Sequence, residues 1–83
     1  MQFKPVISTA VEALGYDSMC NVLGVLFKNK SVYFYTGVPF SVYADFVTAE
    51  SKGGFHTASV RNKYVFFKPD NLEVTLIAEP PVV

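Results

Sequence analysis

His56 is the single histidine of the chain and Cys20 its single cysteine. An imidazole beside a thiol or hydroxyl can activate a nucleophile, so His56 with Cys20, or His56 with Ser51, is the pairing that covalent chemistry would use. Such a pair also needs an orienting third group and an oxyanion site. No motif in the sequence supplies either. His56 therefore reads as a packing or capping residue at the start of a short helix, and the chain as a non-enzyme. A protein metal site draws on about three or four converging ligands, and one His and one Cys without paired spacing do not provide them. Gly53-Gly54 lacks the Gly-x-x-x-x-Gly-Lys setting of a phosphate loop. No cofactor or metal site is expected, and Cys20 reads as a loop thiol.

The sharper candidates are aromatic. Tyr33, Tyr35 and Tyr64, with Arg61 and Lys63 close to Tyr64 in sequence, form a candidate binding surface. One reading is a surface that stacks bases or anchors a partner protein. The other is core packing, with the hydroxyls reaching the rim. The sequence favours packing for Tyr33 and Tyr35. Arg61 serves equally to bond the carbonyls that end the first helix.

The elements that position these residues must fit in 83 residues, which is one domain, spanning 1–83. A domain of this size buries only about 60–65% of its unfolded surface, so its core has to be dense. Eight Phe and five Tyr in a chain that is 51% hydrophobic supply that density. Seven Lys plus Arg balance seven Asp plus Glu, and no basic run occurs. That balance lowers the expectation of nucleic-acid binding. One cysteine allows no intrachain disulfide, which fits a reducing compartment. The first ten residues lack the apolar stretch of a signal peptide, and no apolar run nears the ~20 residues that span a bilayer. The expected location is the cytoplasm, with no membrane association.

Val11 to Tyr16 reads as a strand followed by a polar loop. Leu23, Val25 and Phe27 alternate in a second strand, and Ser31 to Thr36 forms a third. Hairpin register then decides the fate of the tyrosines. A two-residue loop at Asn29-Lys30 puts Val32 and Phe34 on the core face. A three-residue loop at Lys28-Asn29-Lys30 puts Tyr33 and Tyr35 there, at the expense of a positive φ at Lys30. Pro39 suits the start of a helix over Phe40 to Glu50, whose apolar face carries Val42, Tyr43, Phe46, Val47 and Ala49. Ser51-Lys52-Gly53-Gly54 reads as its left-handed termination. Thr57 to Lys63 reads as a short second helix, Tyr64 to Lys68 as a strand, and Leu72 to Ala78 as a last strand. The fold class is α+β: a small antiparallel sheet of about four to five strands with one amphipathic and one short helix.

Gly15-Tyr16-Asp17, Leu23-x-Val25-x-Phe27, Tyr33-x-Tyr35, Val38-Pro39, the aromatic helix, Ser51-x-Gly53 and Val60-Arg61-x-x-Tyr64 follow one another in order. This series resembles the KTSC domain over roughly Ser8 to Lys68. The family is named after the C-terminus of some lysyl-tRNA synthetases, and it also occurs as short stand-alone proteins in bacteria and phages. Its central Tyr-x-Tyr motif is matched by Tyr33 and Tyr35. The family usually carries Gly near Lys30 and a polar residue where Phe34 stands. Those habits imply the three-residue loop and inward tyrosines, more buried than Phe34. The chain departs from the family at both positions. It also lacks the Asn usual near Thr57, and has His56 where an aromatic is common. RNA binding has been suggested for the family from its synthetase attachment.

The leading expectation is a non-catalytic protein-interaction module, of the phage type by resemblance, that engages a host protein in the host cytoplasm. The alternative is an RNA-binding module, with tRNA the candidate that the family name invites. Apolar residues on both faces of Leu72 to Ala78, and one useful helix for two sheet faces, further favour a homodimer through that strand.

Overall fold

The computed structural model describes residues 1–68 and the backbone of Thr75–Leu76. Six strands form one sheet: β1 (Gln2–Pro5), β2 (Val11–Asp17), β3 (Val22–Phe27), β4 (Val32–Tyr35), β5 (Phe66–Phe67) and β6 (Thr75–Leu76). Their order is β5-β4-β3-β2-β1-β6. The five strands from β1 to β5 pair antiparallel, and β6 joins β1 in parallel. With helix α1 (Phe40–Thr48) and the short helix α2 (Lys52–Phe55), the fold is α+β as expected.

The β3–β4 hairpin has the three-residue loop. The Phe27 N–H donates to the Ser31 carbonyl at 2.9 Å, and the Lys30 N–H to the Phe27 carbonyl at 2.9 Å. Lys30 accepts φ of 73° to close it, a conformation that disfavours a side-chain-bearing residue by about 1 kcal/mol. This register pairs Val25 with Tyr33 and Leu23 with Tyr35, so both tyrosines share the helix-covered face. Tyr35 is more buried than Phe34, at 3% against 8% exposure. The expectation fails for Tyr33, which is only half-buried. The reason is that the far face has a core of its own: Phe34 is buried there with Phe3, Ala13 and Leu26.

That second core brings in an element the sequence reading lacks. Strand β1 had no counterpart in the sequence reading, yet its Phe3 is fully buried and stands opposite Gly15. On the same face Phe67 lies beside Phe34 and stays exposed. Most of the strand expected over Leu72 to Ala78 lies outside the described residues. Its Thr75–Leu76 portion lies beside β1, at the opposite edge of the sheet from β5.

Pro39 is the N-cap of α1, and its carbonyl accepts the Val42 N–H at 3.0 Å. Phe46 is the fully buried centre of the apolar face, flanked by half-buried Val42, Tyr43 and Val47. Gly53-Gly54 does not cap α1. Ala49 ends that helix in extended geometry, and Ser51 begins α2 by accepting the Gly54 N–H at 3.1 Å. The glycines therefore lie inside a helix, with neither at positive φ. A π-helical turn, His56–Val60, continues α2, so the second helical segment starts five residues before Thr57. The Thr57 hydroxyl donates back to the Gly53 carbonyl. Asn62, with φ of 66°, supplies the left-handed exit. Among the described residues no helix is long and apolar enough to cross a membrane.

Candidate binding site

The inward register of β4, the π-helical turn and β5 converge on one cavity of about 510 Å³, open to solvent. Strand alternation aims Phe27, Tyr33 and Tyr35 into it, and Phe66 comes from β5. The rings pack against one another. Phe27 meets Tyr33 edge-on with centroids 5.6 Å apart, Tyr33 and Tyr35 stack at 6.4 Å, and Phe66 lies 5.3 Å from Tyr33. Lys68 places its ammonium 5.4 Å from the Tyr33 ring centroid, within cation–π range.

His56 forms one wall. Its Nε2 shares a 2.6 Å hydrogen bond with the Tyr35 hydroxyl, and its ring meets Phe27 edge-on at 5.0 Å. Burial, aided by the positive charge of Arg61, holds the imidazole below its ordinary pKa. Burial and neighbouring Tyr33 push the Tyr35 hydroxyl up, against a smaller opposing effect of Arg61. Both partners are thus neutral near pH 7, and the bond is an uncharged one. Asn29 and Ser31 from the hairpin, with Arg61 and Asn62 from the helix exit, complete the lining. Among the described residues that line it, Arg61 is the one ionised side chain.

A half-buried base with a depressed pKa makes stability depend on pH. Its contribution is fully present above the unfolded-state value of about 6.5 and is lost as pH falls through the lower folded-state value. Urea midpoints followed from pH 8 to pH 5 are expected to fall more steeply for the native chain than for His56→Gln. Parallel curves would show that His56 titrates as it does in the unfolded chain.

Of the anticipated surface, Tyr33, Tyr35 and Arg61 meet in this cavity. Lys63 and Tyr64 do not line it. They lie with Asn62, Val65 and Phe66 in a shallower groove alongside, where Tyr64 is half-buried against the main core. The two readings of the tyrosines divide between them: Tyr35 is a core residue whose hydroxyl reaches the cavity, and Tyr33 is a half-exposed wall. His56 belongs to the site through Tyr35, not through Cys20 or Ser51. Ser51 Oγ accepts from Gly54, and Cys20 is an exposed residue of the β2–β3 turn whose N–H donates to Asp17. Among the described residues no three His, Cys, Asp or Glu side chains converge on a metal position. Phe27 and Phe66 went unrecognised in the sequence. Phe27 had appeared only as a core position of an alternating strand.

Comparisons with known proteins bear on the family and the fold. A family model described as the KTSC domain matches residues 7–64. A protein of Tsukamurella paurometabola is 38% identical over 61 residues, which is 74% of this chain and 91% of that one. The crystal structure of a KTSC domain protein from Yersinia pestis has a TM-score of 0.80 to this chain at 32% identity, covering 83% of this chain and 97% of that one.

Proposed function

The chain belongs to the KTSC domain family, and from that premise we propose that it is a non-catalytic protein-interaction module whose aromatic cavity holds part of a partner protein. The cavity itself carries this reading. Five aromatic walls with one guanidinium among them are the composition of an interface anchor site, where aromatic residues and Arg dominate binding energy. Exposed Val65 and Phe66 carry apolar surface from it into the groove alongside, and exposed apolar surface of this kind marks association sites. Both relatives are spanned almost end to end by this chain. Its proposed location is the one expected from the sequence, the cytoplasm of a bacterium or of a phage-infected one.

RNA binding is the second reading, favoured by Lys63, Arg61 and Lys68 near exposed rings. Against this reading, seven Lys plus Arg balance seven Asp plus Glu, without the basic excess of a dedicated nucleic-acid binder. One experiment separates the two readings. The chain is immobilised and exposed to bacterial lysate with and without nuclease. A protein retained after nuclease treatment, and lost from Tyr33→Ala and Arg61→Ala columns, is the expected result. Retention of nuclease-sensitive material alone would assign the surface to RNA. In that case Arg61→Ala and Lys63→Ala should each weaken binding, and affinity should fall steeply with salt.

A further inference from the structure

We propose that the cavity receives an aromatic side chain from an acidic segment of the partner. This deepens the protein-binding reading and rests on it. The walls set the first half of the specificity. Tyr33 and Phe66 are half-exposed or exposed at the opening, and their rings lie 5.3 Å apart at a tilt of 48°. Tyr35, His56 and Phe27 close the cavity from inside. A volume of about 510 Å³ accommodates an indole or phenol ring with room for adjoining backbone. The half-formed edge-to-face network offers such a ring both faces and edges to pack on.

Charge sets the second half. A cage of rings is also the usual receptor for an ammonium ligand, but two cations contradict that here. Arg61 lines the cavity, and Lys68 already occupies the outer face of Tyr33. Among the described residues no carboxylate lines the cavity. Its local field therefore repels a cation and attracts an anion, while the rings still demand an aromatic group. Asn29, Ser31 and Asn62 offer hydrogen bonds to peptide backbone at the rim. A single-stranded nucleic acid would satisfy the same two demands locally. It needs a charged groove that tracks its backbone over several nucleotides, whereas this site is one compact cavity bordered by exposed, apolar Val65 and Phe66.

The chain contains no tryptophan, so tryptophan emission from a ligand reports binding directly. Two blocked peptides are titrated with the protein: a tryptophan flanked by glutamates, and the same tryptophan flanked by lysines. A mononucleotide is added as a competitor. The acidic peptide is expected to bind with blue-shifted emission, at least about tenfold more tightly than the basic one, a margin worth one decade in Kd. Arg61→Glu, at the exposed helix exit, sets a carboxylate against the remaining Lys68 and should abolish that preference while the chain stays folded. Equal binding of the two peptides would overturn the inference, as would no binding of either. Displacement of the acidic peptide by the mononucleotide at lower concentration would overturn it in favour of a nucleic-acid ligand. A protein retained in the lysate experiment, together with peptides that show no charge preference, would sink this inference and leave the protein-binding reading standing.

Discussion

Phe46→Ala is expected to lower the stability of the chain by about 3–5 kcal/mol, the usual cost of emptying a buried phenylalanine site. Phe46 is fully buried and is the only residue of α1 that is. It is the peg by which the helix is held to the sheet. Its ring also supports the second helical segment, with centroids 5.0 Å from Phe55 and 6.4 Å from His56. Removing it opens a cavity among three elements, and none of them can close it without giving up other contacts. Domains are stable by only about 5–15 kcal/mol in total, and an 83-residue chain buries proportionately less than a larger one. The variant should therefore sit near the edge of unfolding at room temperature in a urea titration. Phe46→Leu conserves most of the volume and is expected to cost roughly 1–2 kcal/mol. A loss below 1 kcal/mol for the alanine variant would mean that α1 is held elsewhere. Because His56 rests on Phe46, ligand binding at the cavity should weaken before the chain unfolds.

The strands and the first helix were legible because their signals are local. Alternation in Leu23, Val25 and Phe27, and the four-residue spacing of Val42 and Phe46, each report one buried face. Strand β1 was not legible. Its four residues include Lys4 and Pro5, and only Phe3 among them is buried. Pairing with β2, not intrinsic preference, makes it a strand. The glycines misled for a related reason. Gly53-Gly54 is a chain-terminating signal in isolation, but Ser51 accepts the Gly54 N–H and begins a new helix there. The two glycines cost about 1 kcal/mol each in helix propensity; the side-chain cap offsets about half of that, and packing of Phe55 on Phe46 helps to hold the segment.

Legibility of the site followed the same division. The tyrosines were found through the Tyr-x-Tyr motif, whose direction depends on hairpin register. Register was open on local chemistry, since Lys30 has to adopt positive φ for the observed loop. The loop forms because it buries Tyr35 beneath the helices, and burial of an aromatic outweighs about 1 kcal/mol of backbone strain. His56 was judged against catalytic partners and dismissed. Its partner is Tyr35, 21 positions away in sequence, a pairing that no local spacing encodes. The nearest available signal was the departure from the family at His56 itself, where an aromatic is usual: the imidazole fills an aromatic place and adds a polar atom facing Tyr35.

Gly24→Ala is expected to destabilise the chain by about 1–3 kcal/mol, although alanine is ordinarily better than glycine within a strand. The sign is set by a close approach on the far face. A Cβ at this position would stand 2.6 Å from Cζ of Phe3 and 2.7 Å from Sδ of Met1. The methionine end is flexible and can swing aside. The Phe3 ring cannot, being fully buried and flanked by Phe34 at 6.2 Å. Gly24 pairs with Gly15, which stands opposite Phe3 in β1. The two glycines therefore form the shallow bed on which β1 lays its one buried side chain. If that bed is what holds β1, the cost of Gly24→Ala must depend on the ring above it. Phe3→Leu removes the clashing ring tip, so the alanine substitution should be much less harmful in that background. A double-mutant cycle by urea unfolding is expected to return a coupling of about 0.5–3 kcal/mol, the range for residues in direct contact. Strictly additive costs, or a gain in stability from Gly24→Ala alone, would show that Phe3 does not rest on Gly24. The far-face core would then have to be held by Phe34 and Leu26 without β1.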